Sequence, residues 1–132
     1  MGTRFVATHE CDASPKLKQA YLDSQKNDIV IIDSPVGLPG RALHNEFLER
    51  VSSGVKESFE CPWQCLKSCD FKNVPYCIGR ALTNAKKGDF ENGFAFAGAN
   101  AYRIDEILSV KELIETLAEE YENVASTQSF TH

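Results

Sequence analysis

The chain opens with the stretch Met1-Gly2-Thr3-Arg4-Phe5-Val6-Ala7-Thr8, and this stretch decides the fold that the sequence predicts. Residues 5–7 form a short apolar run with strand character. Gly2 removes a side chain where a backbone must approach a ligand closely, and Thr3 adds a hydroxyl beside its amide. The stretch therefore predicts a strand that delivers a glycine and a hydroxyl to a ligand. Because a terminal strand needs sheet neighbours, we expect the chain to be the last part of a larger protein.

Composition is that of an ordinary globular domain. The chain has 132 residues, of which 42% are hydrophobic and 25% charged, and its net charge is −5. A negative net charge argues against nucleic acid, whose phosphates select basic surfaces. The apolar runs are far shorter than the roughly 20 residues of a membrane-spanning helix, and we expect no secretory leader. With five cysteines, the sequence predicts a cytoplasmic protein whose thiols stay free or bind metal.

Start and stop signals define the elements between these ends. Ser14-Pro15 gives an N-cap hydroxyl followed by proline at the first helical position, and Ser109 with Glu112 forms a capping box. Two prolines and two glycines make residues 33–40 a loop, and residues 125–132 are expected to be a frayed tail. The predicted elements are a short N-terminal strand, helices near residues 14–26, 40–52, 76–87 and 109–122, and an extended segment at 29–32.

Three segments carry a family likeness. They are Met1-Gly2-Thr3-Arg4-Phe5 with Ser14-Pro15, then Pro39-Gly40-Arg41-Ala42 with Asn45, and then Gly88-Asp89 leading to Gly93-Phe94-Ala95-Phe96-Ala97-Gly98. In this order they resemble the nitronate monooxygenase (2-nitropropane dioxygenase-like) flavoproteins, which include the flavin-dependent enoyl-acyl-carrier-protein reductases. The resemblance implies an α/β fold: the C-terminal part of an FMN-binding (β/α)8 TIM barrel, with its last strand and helix, and a mostly helical C-terminal subdomain. Residues 1–54 would be the barrel part, and residues 55–132 a cysteine-containing subdomain that returns to the flavin site.

The resemblance also implies where the cofactor lies. Gly2 and Thr3 would meet the FMN phosphate, in agreement with the phosphate sites that the last loops of such barrels form. Gly98, Ala99 and Asn100 would lie near the flavin ring or the substrate, in a segment whose small side chains let a backbone pass close to a flat ligand. The alternatives are a glycine that merely eases the start of a strand and, for the second segment, a tightly packed turn between helices.

No residue of this chain is assigned a catalytic role. The family's catalytic histidine lies upstream of the first strand, and His9 and His44 do not match its position, so both are interpreted as surface or loop residues. The resemblance implies an FMN-dependent oxidoreductase that oxidises alkyl nitronates with oxygen, or an enoyl reductase that uses NAD(P)H. We expect the isolated chain to be inactive. The full-length protein is expected to bind a small-molecule substrate, neither nucleic acid nor membrane, and to form a homodimer.

Four cysteines are concentrated in one segment, with three, three and seven residues between them. They are Cys61, Cys65, Cys69 and Cys77. On a regular helix Cys61 and Cys69 would stand about 12 Å apart along the axis, whereas the sulfurs around a tetrahedral zinc lie roughly 3.8 Å apart. A zinc or iron–sulfur site therefore requires the chain to fold back, near Pro62 and residues 68–70.

The cysteines also leave other interpretations open. They could be free thiols packed under a subdomain, or redox-active or disulfide-bonded pairs. Trp63 is interpreted as a local core residue of this segment. The second function that the sequence permits is accordingly a small cysteine-based metal-binding or interaction module without catalysis.

Overall fold

The computed structural model describes residues 2–61 and 63–128, and it has an α/β fold. Its elements are helices α1 (Gly2–Val6) and α2 (Pro15–Asp23), strands β1 (Ile29–Asp33) and β2 (Pro39–Leu43), and helices α3 (Glu46–Ser52), α4 (Ile78–Lys86) and α5 (Val110–Gln128). Two short 3-10 helices, Lys26–Asp28 and Ala101–Arg103, lie in the connections. None of the helices in the described part of the chain has the length and apolar character needed to cross a lipid bilayer.

The first element is a helix, and the prediction of a strand there is wrong. Gly2–Val6 forms α1, and the one β-type contact among the described residues 2–8 is a parallel bridge between Thr8 and Leu108. A strand without neighbours leaves its backbone N–H and C=O groups unpaired, whereas a helical turn bonds them locally. Thr8 Oγ1 then donates to the Phe5 carbonyl at 2.8 Å and closes the C-terminal end of the helix.

A β-hairpin occupies part of the region that was predicted as a helix over 40–52. β1 and β2 pair antiparallel along their whole length, so the extended segment predicted at 29–32 is confirmed. The loop predicted at residues 33–40 is shorter than expected and comprises residues 34–38. α3 starts directly after Asn45, whose Oδ1 accepts a hydrogen bond from the Leu48 N–H at 3.0 Å. The helix prediction fails before this cap because the residues there find an antiparallel partner close by in the chain.

Two other helix predictions are confirmed, with shifted ends. α2 begins after Ser14, whose Oγ accepts a hydrogen bond from the Leu17 N–H at 3.2 Å, and it ends at Asp23. α4 lies within the predicted range 76–87. Gly88 follows its last turn with a φ of 88°, a left-handed conformation that suits glycine at the end of a helix.

The last helix begins as predicted and extends further than predicted. In its capping box the Ser109 N–H donates to the Glu112 carboxylate at 2.9 Å, and the Glu112 N–H donates to Ser109 Oγ at 3.2 Å. α5 continues through residues 125–128, so the frayed tail expected there is wrong for these four residues. The rest of that expected tail, residues 129–132, lies outside the described residues.

Two hydrophobic clusters form the core, and each takes residues from both sides of position 54. The first consists of Ala7, Leu17, Tyr21, Leu43, Ala85, Ala95, Ala97, Ala101 and Ile104. The second consists of Ala42, Phe47, Leu48, Tyr76, Ala81 and Phe94. The rings of Phe47, Tyr76 and Phe94 pack together with centroid separations from 5.2 to 6.2 Å. The division of the chain between residues 54 and 55 stays a prediction, but the burial of these side chains depends on both parts.

Candidate functional site

Residues from distant parts of the chain line one open groove, which we call the Thr3 groove. It encloses about 640 Å³. Its walls are Thr3 and Arg4 of α1, most of residues 98–106, and the first turns of α5. The Thr3 groove thus brings together Thr3 and residues 98–100, which belong to two segments that the sequence analysis assigned to one ligand.

A direct hydrogen bond joins these two segments. The Gly98 N–H donates to Thr3 Oγ1 at 2.8 Å, although the two residues are 95 positions apart. A Cβ at position 98 would stand 3.3 Å from that oxygen, so glycine permits the close approach. The O–H of Thr3 has no acceptor among residues 2–61 and 63–128, and it is available to donate to a ligand. At Gly2 an added Cβ would meet no atom within 4 Å, so there is open space beside Thr3.

Residues 98–100 form an exposed turn at the edge of the groove. The Gly98 carbonyl accepts from the Ala101 N–H at 3.0 Å, which starts the 3-10 helix Ala101–Arg103. The side chains of Ala99 and Asn100 are exposed, so this turn is not packed between helices. Its surface is free to meet a ligand.

Backbone pairing with β2 holds the segment that leads to this turn. The Leu43 N–H donates to the Ala95 carbonyl at 3.0 Å. The Ala97 N–H donates to the Arg41 carbonyl at 2.9 Å. Residues 95–97 therefore form an isolated antiparallel bridge with β2, between Phe96 and Ala42, and the hairpin fixes the position of Gly98.

Tyr21 of α2 also binds the segment before the turn, through the backbone of Phe96. Its hydroxyl donates to the Phe96 carbonyl at 2.6 Å. Burial, with a smaller contribution from the charge of Cys11, raises the pKa of Tyr21 to about 12. The phenol therefore remains a protonated donor at neutral pH. Tyr21 lies within the helix predicted near residues 14–26, but no local pattern could identify an acceptor 75 positions along the chain.

Gly93 and Asn45 fix where this segment begins. Asn45 Nδ2 donates to the Gly93 carbonyl at 2.8 Å, while Oδ1 of the same side chain caps α3. A Cβ at Gly93 would lie 2.1 Å from the Ala81 carbonyl of α4, a separation that no side chain tolerates. Glycine is therefore required for the chain to pass so close to α4.

Charge in the Thr3 groove is mixed. Arg4 and Arg103 contribute two cations, and three carboxylates also line the groove. Arg4 Nη1 donates to the Glu106 carbonyl at 3.1 Å. The sequence analysis did not assign a role to either arginine, and the one signal for Arg4 was its place next to Thr3. An anionic group bound at Thr3 would have the Arg4 guanidinium in the same groove.

Both histidines that were considered for catalysis lie on the surface. His9 is exposed. His44 is also exposed, and its Nε2 lies 3.2 Å from Glu49 Oε1. The interpretation of both as surface or loop residues is confirmed.

The described residues of the four-cysteine segment do not form an assembled metal site. All five cysteines are free thiols. Among the described residues no group of three or more His, Cys, Asp or Glu side chains is arranged to hold a metal ion. The side chain of Trp63 is 72% exposed, so its interpretation as a local core residue is wrong.

Comparison with known proteins gives one family. The family model described as nitronate monooxygenase matches residues 1–120. A probable nitronate monooxygenase from Staphylococcus haemolyticus is 31% identical over 85 residues, which are 64% of this chain and 20% of that protein. An octahydro-indene carboxyl-CoA dehydrogenase from Mycobacterium tuberculosis is 24% identical across 89% of this chain and 41% of its own length.

Solved structures give a similar result. The structure of FabK from Thermotoga maritima matches with a TM-score of 0.75 and 30% identity, over 98% of this chain and 38% of that one. A single-residue mutant of the same FabK matches with a TM-score of 0.71 and 27% identity, over 98% of this chain and 34% of the mutant chain. The chain therefore spans between about a fifth and two fifths of the length of these relatives.

Proposed function

The chain belongs to the nitronate monooxygenase family, and on that premise we propose that it supplies one side of an FMN site. The observation that carries the proposal is the hydrogen bond from the Gly98 N–H to Thr3 Oγ1. It brings together a segment that the family resemblance assigns to the phosphate and one that it assigns to the flavin ring. A contact between two such segments is what a shared ligand requires.

Gly2 and Thr3 suit a phosphate. The Thr3 O–H is free to donate, and phosphate oxygens are strong acceptors. The space beside Gly2 leaves room for the group, because an added Cβ there meets nothing within 4 Å. Arg4 adds a guanidinium to the same groove. These three residues would bind the phosphate and fix the orientation of the cofactor.

Residues 98–100 suit the ring. Gly98 and Ala99 have little or no side chain, so their backbone can approach a flat ligand, and Asn100 offers an amide donor and acceptor. All three are exposed at the groove. Bound FMN supplies the redox chemistry, while the protein binds and orients it.

The proposed reaction is that of the family. The full-length protein oxidises alkyl nitronates with oxygen. A second candidate, reduction of an enoyl thioester with NAD(P)H, is supported by the likeness to FabK over 98% of this chain. The 132-residue chain alone is proposed to be inactive in both reactions, since the Thr3 groove forms only one side of a flavin site. Five unpaired thiols support the proposal that the protein is cytoplasmic.

Binding of FMN by two valine variants tests the proposal. Thr3→Val keeps the shape but removes a hydroxyl that is both the proposed phosphate donor and the acceptor of the Gly98 N–H. FMN affinity should therefore fall at least about tenfold, the loss expected for one hydrogen bond to a charged group. Thr116→Val is the matched control, because Thr116 lines the same groove but donates to the Glu112 carbonyl at 2.9 Å. Quenching of FMN fluorescence measures both affinities. Equal effects of the two substitutions, or no binding by the unmodified chain, would contradict the proposed site.

A further inference from the structure

The strand β1 has one open side. It pairs with β2, and the described residues provide no strand on its other side. The His44 N–H donates to the Asp28 carbonyl at 2.8 Å, so these two residues form a hydrogen-bonded pair in register with the strands. Because such pairs alternate along an antiparallel ladder, the N–H and C=O groups of Ile31 and Asp33 point away from β2.

The contacts of β2 follow the same alternation. Leu43 and Arg41 lie opposite Ile29 and Ile31 in the register. The backbones of Leu43 and Arg41 bond not to β1 but to residues 95–97. β2 therefore has partners on both of its sides, whereas the outward groups of Ile31 and Asp33 have none among residues 2–61 and 63–128.

β1 also lacks the features that usually keep an open edge from pairing. Natural edge strands carry lysine, proline or a bulge. The sequence of β1 is Ile-Val-Ile-Ile-Asp, and its ladder with β2 runs without a bulge. Ile31, at the centre of the strand, is 63% exposed. Such an edge is suited to bind an extended peptide, because main-chain hydrogen bonds then supply the affinity.

A groove lies beside this edge, and we call it the β1 groove. It encloses about 490 Å³, and residues 30–33 of β1 line it together with part of α3 and Pro75. Leu48 and Val51 of α3 give it apolar surface. A volume of this size accommodates the side chains of a strand that pairs with β1.

A hydroxyl without a partner belongs to the same lining. Tyr76 is 4% exposed, and its O–H has no hydrogen-bond acceptor among the described residues. Every fully buried polar side-chain atom in this part of the chain has a partner, so the Tyr76 oxygen borders open space. Tyr76 lines both the β1 groove and one neighbouring cavity. Burial raises the pKa of Tyr76 to about 12, so the phenol is a protonated donor at neutral pH.

The charge of the β1 groove is negative. Asp33 and Glu49 line it, and none of its described lining residues is lysine or arginine. Glu49 Oε1 lies 3.2 Å from His44 Nε2, whereas the Asp33 carboxylate has no partner within the described residues. A basic side chain would complement Asp33. A second copy of β1 would instead bring another aspartate and no cation, so the charge favours a basic partner over self-pairing.

We propose that the open edge of β1 binds an extended segment of a partner protein in which apolar and basic residues alternate. The backbone of this segment pairs with Ile31 and Asp33. Because successive side chains of a strand point to opposite faces, one set packs against the apolar surface of the β1 groove and the other brings lysine or arginine to Asp33. No described residue lines both the β1 groove and the Thr3 groove, so failure of peptide binding and failure of FMN binding are separate results.

Amide hydrogen exchange of the unmodified 132-residue chain tests the pairing. The probe is a synthetic hexapeptide with blocked ends in which valine and lysine alternate. At saturation it should slow exchange of the Ile31 and Asp33 amides at least about tenfold, since both gain a hydrogen bond. The amides of Val30 and Ile32 already face β2 and should change little. Unchanged exchange at Ile31 and Asp33 would overturn the proposal, and so would slow exchange there that needs no peptide and rises with protein concentration.

Fluorescence anisotropy with a labelled peptide tests the role of charge. A hexapeptide that alternates valine and glutamate should bind at least about tenfold more weakly than the lysine peptide. Asp33→Asn should weaken binding of the lysine peptide about threefold, as expected for one exposed ion pair. Asp105→Asn is the matched control and should leave binding unchanged, because Asp105 is exposed and does not line the β1 groove. Equal binding of the two peptides, or equal effects of the two substitutions, would contradict the proposed partner.

Discussion

The Asn45 side chain joins two parts of the core at once. Its Oδ1 caps α3 through the Leu48 N–H, and its Nδ2 donates to the Gly93 carbonyl. A short amide can do both because it has an acceptor and a donor on one rigid group. The sequence analysis included Asn45 in the family likeness but placed it inside a helix. The preference of asparagine for the N-cap position could have located the start of α3, whereas the Gly93 contact had no local signal.

Replacement of Asn45 separates its two contacts. Asn45→Ala should lower the free energy of unfolding by about 2 kcal/mol, roughly half from the cap and half from the bond to Gly93. Asn45→Asp keeps the cap acceptor and loses the donor. This variant should therefore lower the free energy of unfolding by about half as much as Asn45→Ala does. Urea unfolding followed by circular dichroism measures both. If the aspartate variant is as unstable as the alanine variant, the side chain does not act as a cap.

At the scale of elements, local signals predicted helices better than strands. α2 and α5 were found because Ser14 and the Ser109–Glu112 pair mark their first turns, and both caps are formed. β2 was missed because its identity depends on pairing with β1, and apolar spacing over so few residues also fits a helix. The strand prediction for α1 failed for the opposite reason. Its residues have a composition that favours a strand, but a strand needs a neighbouring strand to pair with.

The buried hydrogen bond from Tyr21 to the Phe96 carbonyl predicts a loss of stability at alkaline pH. Burial raises the pKa of Tyr21 from its ordinary value of 10.0 to about 12. Between these values the unfolded chain releases the phenolic proton while the folded chain keeps it, so stability is complete below pH 10 and falls as the pH rises toward 12. Tyr76, whose pKa burial also raises to about 12, contributes in the same direction.

Tyrosine variants measure this loss. Tyr21→Phe should flatten the dependence of the free energy of unfolding on pH above 10, and it should also lower stability at neutral pH by about 1 kcal/mol through loss of the bond to Phe96. Tyr121→Phe is the control, because that side chain is 75% exposed. Urea unfolding at a series of pH values gives the slopes. A slope for Tyr21→Phe equal to that of the unmodified chain would rule out the buried phenol as its source.

At the scale of the whole molecule, the Thr3 groove depends on contacts that no short sequence pattern contains. Residues from α1, the 98–106 region and α5 meet there. The family resemblance assigned Thr3 and Gly98 to one cofactor, but their hydrogen bond, 95 positions apart, was found only in the structure. The cysteine spacing similarly indicated that a single-metal site would require the chain to fold back, yet it could not show that Trp63 would be exposed.

Amide NMR spectra of the labelled 132-residue chain, titrated with FMN and separately with riboflavin, test the central claim most directly. Riboflavin has the same ring system and no phosphate. If the Thr3 groove binds FMN as proposed, FMN should shift the signals of Gly2, Thr3 and residues 98–100, whereas riboflavin should shift only residues 98–100. Identical shifts from both ligands, or shifts confined to residues outside the groove, would contradict the account.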